Sequence, residues 1–165
     1  MKTGIFTLDR ETLEEIGELL PGYVIRRAQE PGYFTLGAID DHDEIIGITQ
    51  FYINITEEGA GFAEIVYIYT MDGCRREGIG AKLLDKVNRI LKKSGVPVST
   101  VLVPASDRGM IRYETPAKEI DAFFEDCSYI ASKDSIKSFK TVLEDIFQGL
   151  NDRNVKRYTR LAGRE

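Results

Sequence analysis

The sequence is poor in the residues on which several kinds of chemistry depend. Its single histidine, His42, leaves a Ser-His-Asp triad and a multi-histidine zinc site without their parts. Two cysteines, Cys74 and Cys127, permit at most one disulfide. No secretory apolar segment and no uninterrupted apolar run of membrane length occurs, which reads as a cytoplasmic, reduced protein without a membrane partner. Positive charge is also in deficit. The 22 Lys and Arg stand against 27 Asp and Glu, and the net −5 argues against a nucleic-acid partner and for a cationic one.

What is present is globular. The 165 residues are 42% hydrophobic and 30% charged, enough for one domain that buries roughly 70% of its unfolded surface. The expected division is a single domain over 1–150 and a basic tail over 151–165. That tail carries Arg153, Lys156, Arg157, Arg160 and Arg164, and reads as a solvated end or an oligomer contact, such as a homodimer's, with a nucleic-acid or cofactor-phosphate contact as the alternative.

Along the chain, Thr12-Leu13-Glu14-Glu15 has the form of a capping box, and Leu13, Ile16, Leu19 and Leu20 repeat at helical spacing until Pro21-Gly22. Residues 33–39 and 45–55 read as a hairpin around the acidic turn Asp40-Asp41-His42-Asp43-Glu44. That turn is a solvated tip, or a carboxylate site for a divalent cation, or an attractor for a basic substrate. A third strand at 62–70 follows a turn from Thr56 to Gly61, completing an antiparallel meander. Then Ile79, Leu83, Leu84, Val87, Ile90 and Leu91 line one face of a helix that ends before Gly95. Val98 to Val103 is a β-branched run, expected to lie parallel to the third strand because a helix makes the crossover. A helix from Thr115-Pro116 buries Ala117, Ile120, Phe123, Phe124 and Cys127; Tyr129 to Ala131 reads as a strand and 136–150 as a helix.

The chemistry concentrates between the third strand and the strong helix. In Arg75-Arg76-Glu77-Gly78-Ile79-Gly80-Ala81, glycines let main-chain N–H groups approach an anion, the helix N-terminus adds positive potential, and the arginines add charge. Tight helix–strand packing selects glycine too. The turn is not a P-loop, because no Gly-Lys-Ser/Thr follows, and not a dinucleotide fingerprint, because position 83 is Leu. In the preceding strand, alternation puts Glu64 on one face with Phe62, Val66, Ile68 and Thr70. A carboxylate among apolar neighbours is desolvated, which raises its pKa toward that of a general base; a hydrogen-bonded or ion-paired strand residue is the structural alternative.

Arg75-x-x-Gly78-x-Gly80 after an apolar strand resembles the acyl-CoA diphosphate signature of the GNAT superfamily of N-acetyltransferases, and the order of elements over about residues 5–131 is similar to that fold. Phe62-Ala63-Glu64-Ile65-Val66 further resembles the histone lysine acetyltransferase branch. The resemblance implies an α/β (α+β) domain with a mixed, mostly antiparallel central sheet flanked by helices. It also implies acetyl-CoA as co-substrate, held by Arg75, Arg76, Glu77, Gly78, Ile79, Gly80 and Ala81, with Ile68, Tyr69 and Thr70 pairing with the pantetheine arm and the Ile68 N–H polarising the thioester. Glu64 would be the general base and no metal is required. Many members carry a tyrosine where this chain has Phe124, so the usual general acid is missing unless Tyr113 or Tyr129 substitutes. Two regions depart from the family pattern: the loop Asp107 to Thr115 is long, and the helical reading at 136–147 falls where the family has a final strand. The expected function is acetyl transfer to an amine-bearing small molecule or a protein lysine, and the alternative is a catalytically silent CoA-binding or protein-interaction module.

Overall fold

A computed structural model describes residues 2–54, 61–71, 73–74, 77–104, 117–133 and 155–161. The chain begins with a strand that the sequence does not announce, β1 (Gly4–Thr7), which is held by antiparallel pairing with β2. Helix α1 (Arg10–Glu15) then starts earlier than the capping-box pattern suggests. Its cap is Asp9, whose carboxylate accepts the Thr12 N–H at 2.9 Å and the Thr12 hydroxyl at 2.8 Å. Those bonds satisfy an open amide of the first turn and hold the Asp9 carboxyl below its usual range. A single 3₁₀ turn (Gly17–Leu19) follows, and Pro21 is not a terminus but the N-cap of a second helix, α2 (Gly22–Arg27).

The meander lies where alternation puts it: β2 (Tyr33–Ile39), β3 (Ile45–Asn54) and β4 (Phe62–Thr70). Helix α3 (Ile79–Lys93) carries the chain over to β5 (Val98–Pro104), which runs parallel to β4 as the crossover requires. Gly95, at φ 71°, takes the left-handed conformation that ends α3. Helix α4 (Ala117–Asp126) leads to β6 (Ile130–Lys133), and β7 (Val155–Leu161) completes a seven-stranded sheet of order β1-β2-β3-β4-β5-β7-β6. This is the mixed, mostly antiparallel sheet flanked by helices that the resemblance implies.

Strand β7 corrects the reading of 151–165 as a solvated tail. Its residues pair antiparallel with β5 from Val98↔Leu161 to Pro104↔Val155 and with β6 from Ile130↔Thr159 to Lys133↔Lys156. Counting charge hid a strand, because Val155, Tyr158, Thr159 and Leu161 are residues that suit a pleated surface. The helix read at 136–150, the loop at 107–115, and residues 55–60, which end the strand expected over 45–55 and make up the turn from Thr56 up to Gly61, lie outside the described residues.

The register of β3 and β4 decides which side chains share a face. It runs Gly47↔Thr70, Ile48↔Tyr69, Thr49↔Ile68, Gln50↔Tyr67 and then Phe51↔Ile65, so Val66 is an additional residue on β4, a β-bulge. Beyond it the alternation changes phase. Glu64 therefore shares a face with Phe62, Tyr67 and Tyr69, and not with Val66, Ile68 and Thr70 as simple alternation gives. The face with Phe51, Ala63, Ile65 and Ile68 packs on Ile79, Leu83, Leu84, Val87 and Leu91 of α3 and on Phe124 of α4. The opposite face, with Ile48, Tyr67 and Tyr69, packs on Leu13 of α1 and Val24 of α2.

Leu83 is fully buried at the centre of the α3 contact. Leu83→Ala is expected to cost about 2–5 kcal/mol in equilibrium denaturation through lost burial and a residual cavity, whereas Lys86→Ala on the exposed face of the same helix is expected to stay within about 0.5 kcal/mol.

Candidate active site

The bulge at Val66 also marks where β4 and β5 part. Their parallel pairing, among the described residues, covers Phe62–Ile65 against Val98–Val101. Beyond it β4 continues to Thr70 on β3, while β5 continues to Pro104 on β7. A fork thus opens toward the C-terminal ends of two parallel strands, the end of such sheets where ligands bind.

The end of β4 and the start of α3 close one side of this fork. Gly78, the α3 N-cap, stands at φ 78°, a conformation that favours glycine, and its carbonyl accepts the Lys82 N–H at 3.0 Å. The amides of Ile79, Gly80 and Ala81 belong to the first turn, whose N–H groups have no partner within the helix. Glu77, Gly78 and Ala81 are exposed, whereas the Ile79 side chain is core, so Ile79 offers the fork only its backbone. A Cβ on Gly80 would lie 3.0 Å from two ring carbons of Phe123 and 3.8 Å from the Thr70 hydroxyl. Glycine is thus selected here by the close approach of α4, and Thr70, Gly80 and Phe123 meet at one point. Arg75 and Arg76 lie outside the described residues. The Ile68 and Tyr69 side chains are buried on opposite faces of the sheet, leaving only main chain to line the fork.

Glu64 sits just before the bulge, between Tyr52 of β3 and Thr100 of β5, with 1% of its surface exposed. The layer above it is built by α2. Gln50 on β3 donates from Nε2 to the Val24 carbonyl at 2.8 Å and to the Thr35 hydroxyl at 3.0 Å, tying the helix to the sheet. Tyr23 stands edge-on to Tyr67 at 6.4 Å, and Tyr33 lies against Tyr52 at 4.8 Å. The Arg27 guanidinium covers both the Tyr23 ring, at 5.8 Å, and the Tyr33 ring, at 5.3 Å. Burial pushes the Tyr23 hydroxyl up to about 12, so it stays neutral at working pH. Sequence reasoning missed this tyrosine, arginine and glutamine layer. The available signal was Tyr23 and Arg27 one helical turn apart, in a segment too short to show a period.

The candidates for a general acid are placed elsewhere. Phe124 is core, against Phe123 at 5.1 Å and Tyr129 at 5.6 Å, and it is Phe123 that reaches the fork. The Tyr129 hydroxyl is buried, shares a 2.8 Å hydrogen bond with Ser99 and accepts from Asn88 Nδ2 at 3.3 Å, and burial raises its pKa. Ser99 pairs with Ala63, at the closed end of the parallel strands, so Tyr129 does not face the opening. Tyr113 lies outside the described residues.

The acidic hairpin tip is also remote from Glu64. The Met71 N–H donates to the Ile46 carbonyl, which places the tip beside the exit of β4. Glu64 pairs with Tyr52, six positions along β3 and roughly 20 Å away. Within the tip, Asp40 Oδ1 accepts the His42 and Glu44 amides at 2.9 and 3.0 Å, which lowers the Asp40 pKa. Among the described residues no three His, Cys, Asp or Glu side chains gather closely enough to hold a metal ion. None of the described helices is long and apolar enough to cross a membrane.

The fold has counterparts among known proteins. An IAA acetyltransferase from Bacillus cereus superposes with a TM-score of 0.66 at 18% identity, over 97% of this chain and 99% of the other. NAA60 of Arabidopsis thaliana, solved with acetyl-CoA, gives 0.68 at 12% identity over 97% of both chains. The spermidine/spermine N-acetyltransferase SpeG from Vibrio cholerae gives 0.67 at 13% identity, over 98% of this chain and 95% of the other. These neighbours represent several branches, and none of the three is described as a histone enzyme. No curated protein sequence matches the chain. The family model for acetyltransferases of the GNAT family matches residues 3–113, a span that holds Glu64, the bulge, the fork and the glycine turn. The chain belongs to the GNAT family of acetyltransferases.

Proposed function

We propose that this protein transfers an acetyl group from acetyl-CoA to an amine by direct attack, with Glu64 as the general base. The observation that carries the reading is the fork between β4 and β5, with the open first turn of α3 at its mouth and a buried carboxylate at its root. The diphosphate would lie on the amides of Ile79, Gly80 and Ala81 beside Gly78, with Glu77, Arg75 and Arg76 in the same turn. The pantetheine arm would extend the sheet along Ile68, Tyr69 and Thr70. The Ile68 N–H would then polarise the thioester carbonyl, a role that needs main-chain geometry and not a particular side chain.

In this mechanism the amine nitrogen attacks the carbonyl carbon, the C–N bond forms and the C–S bond breaks. CoA leaves as the thiolate, and the ammonium proton passes to the Glu64 carboxylate, directly or through water. Phe124 supplies no proton, and the thiolate departs as the anion. The likeness of Phe62 to Val66 to the histone branch supports Glu64 in this role. One neighbour bears on the acceptor: SpeG is described as a spermidine/spermine N-acetyltransferase. The acceptor proposed here is a primary amine, on a small molecule or a protein lysine, and a homodimer is the simplest assembly. The acidic tip lies roughly 20 Å from Glu64, at the end of the sheet proposed for the diphosphate.

Acetyl-CoA is expected to stabilise the protein by about 2.7 kcal/mol at a hundredfold excess over its dissociation constant. Gly80→Glu should abolish that shift in a melting experiment, through its negative charge and its collision with Phe123, while unliganded unfolding remains cooperative. No binding of CoA by the wild type would refute the anion site.

Glu64→Gln is expected to keep acetyl-CoA affinity and lose roughly 10²–10⁴-fold in turnover, measured as thiol release across a panel of amines and basic peptides. The residual rate should climb with pH as more amine arrives deprotonated. Near-normal turnover with an unchanged pH profile would remove Glu64 as the base. CoA binding by the wild type with no acetyl transfer to any amine would indicate a silent binding module.

A further inference from the structure

Two buried oxygen atoms beneath α2 have no hydrogen-bond partner among the described residues: Gln50 Oε1 and the Tyr23 hydroxyl. Gln50 is fully buried. The orientation of its carboxamide is fixed, because the Val24 carbonyl, 2.8 Å from Nε2, can only accept a hydrogen bond. Nε2 also donates to the Thr35 hydroxyl of β2 at 3.0 Å, so that arm of the planar group is turned to β2 and α2. Oε1 is the other arm, on the side of β4, the second neighbour of β3 in the sheet.

Both oxygens belong to side chains that flank Tyr67. Gln50 pairs with Tyr67 across the β3–β4 ladder, and Tyr23 stands edge-on to its ring at 6.4 Å. Tyr67 follows the Val66 bulge, and Glu64 precedes it on the same face, pairing with Tyr52 two positions along β3 from Gln50. Gln50 and Glu64 are thus diagonal neighbours, with Cα atoms roughly 8 Å apart. The layer also reaches solvent, because Tyr23, Tyr33 and Tyr52 are only partly buried.

An amide oxygen only accepts hydrogen bonds, and burial, which pushes the Tyr23 hydroxyl up to about 12, keeps that group neutral. A buried polar atom left unpaired is costly, and the cost is recovered when a donor arrives. A carboxylate brings no donor, whereas a primary amine brings an N–H for each oxygen. We propose that Gln50 Oε1 and the Tyr23 hydroxyl accept the N–H groups of the amine substrate and select a primary amine over its N-methylated counterpart. The proposal rests on the reading of Glu64 as the base and adds the specificity of that site. Glu64 takes one proton of the ammonium, and two N–H groups stay on the attacking nitrogen for the two oxygens. Methylation removes one of them and sets a methyl group against an unpaired oxygen.

The test uses pentylamine and N-methylpentylamine, which differ by one N–H. Titrated by calorimetry into the protein loaded with CoA, which has no acetyl group to transfer, pentylamine is expected to bind at least tenfold more tightly. That preference should fall below threefold in Gln50→Met, which keeps the side-chain volume, and in Tyr23→Phe, which keeps the ring. Gln50→Met also loses the bonds to Val24 and Thr35, a structural effect that weakens both amines alike and leaves their ratio in place. No binding of pentylamine, equal binding of the two amines by the wild type, or an unchanged preference in both variants would each overturn the proposal and leave the oxygens to ordered water. Should Gln50→Met fail to fold, Tyr23→Phe decides by the same ratio, since its hydroxyl takes part in none of the described hydrogen bonds. With acetyl-CoA, the kcat/KM ratio of the two amines should move with the binding ratio. Selective binding of pentylamine without acetyl transfer would reject the catalytic reading and leave the subsite standing. Acetyl transfer that depends on Glu64, with a ratio unchanged in both variants, would reject the subsite and leave the base standing.

Discussion

One additional residue in β4 is the constraint on which the site depends. Val66 has no counterpart on β3, and the strand absorbs it by bending and by changing the phase of its side chains. Bending ends the pairing with β5 after Ile65 and opens the fork. The phase change keeps Ile65, Val66 and Ile68 in the α3 core while Glu64, Tyr67 and Tyr69 face α1 and α2. A single insertion thus separates two parallel strands and directs the carboxylate to the face of the sheet opposite α3.

The two sides are fixed by different means. On the α3 side, the shape is set by close contact: Gly80 leaves space for Phe123, and Gly78 accepts a backbone turn that other residues resist. On the α2 side, a short helix that could not persist alone is held by Gln50 through the Val24 carbonyl and by stacked aromatic rings. Polar bonds and rings in that layer specify one arrangement where aliphatic packing would tolerate several.

The parts legible in the sequence were those whose pattern is local. Val66 apart, β4 lies where its apolar run puts it, and α3 shows its apolar stripe, its basic last turn and Gly95 without any tertiary context. The glycine turn was readable because the backbone requirement falls on glycine itself. Strands β1 and β7 were not readable, since a four-residue segment and a strand with Lys156, Arg157 and Arg160 among its seven residues acquire their identity from the strands they pair with. The bulge is invisible for a deeper reason: Ile65-Val66-Tyr67 is as good a strand as any other, and only the partner's register reveals a residue to spare. Hence Glu64 was recognised by its neighbours in sequence, whereas Tyr52, its partner across the sheet, was not.

The position of β7 has a bearing on how the molecule is made. This strand lies between β5 and β6 although it follows both in the chain, so β6 gains its place in the sheet only through a partner synthesised later. During translation β1 to β5 can assemble as they emerge, but the edge of β5 that faces away from β4 gains its partner only when residues 155–161 arrive. The nascent chain therefore carries an open sheet edge on the side of β5 away from the fork, and the strand that closes it is the described segment most distant in sequence from β1.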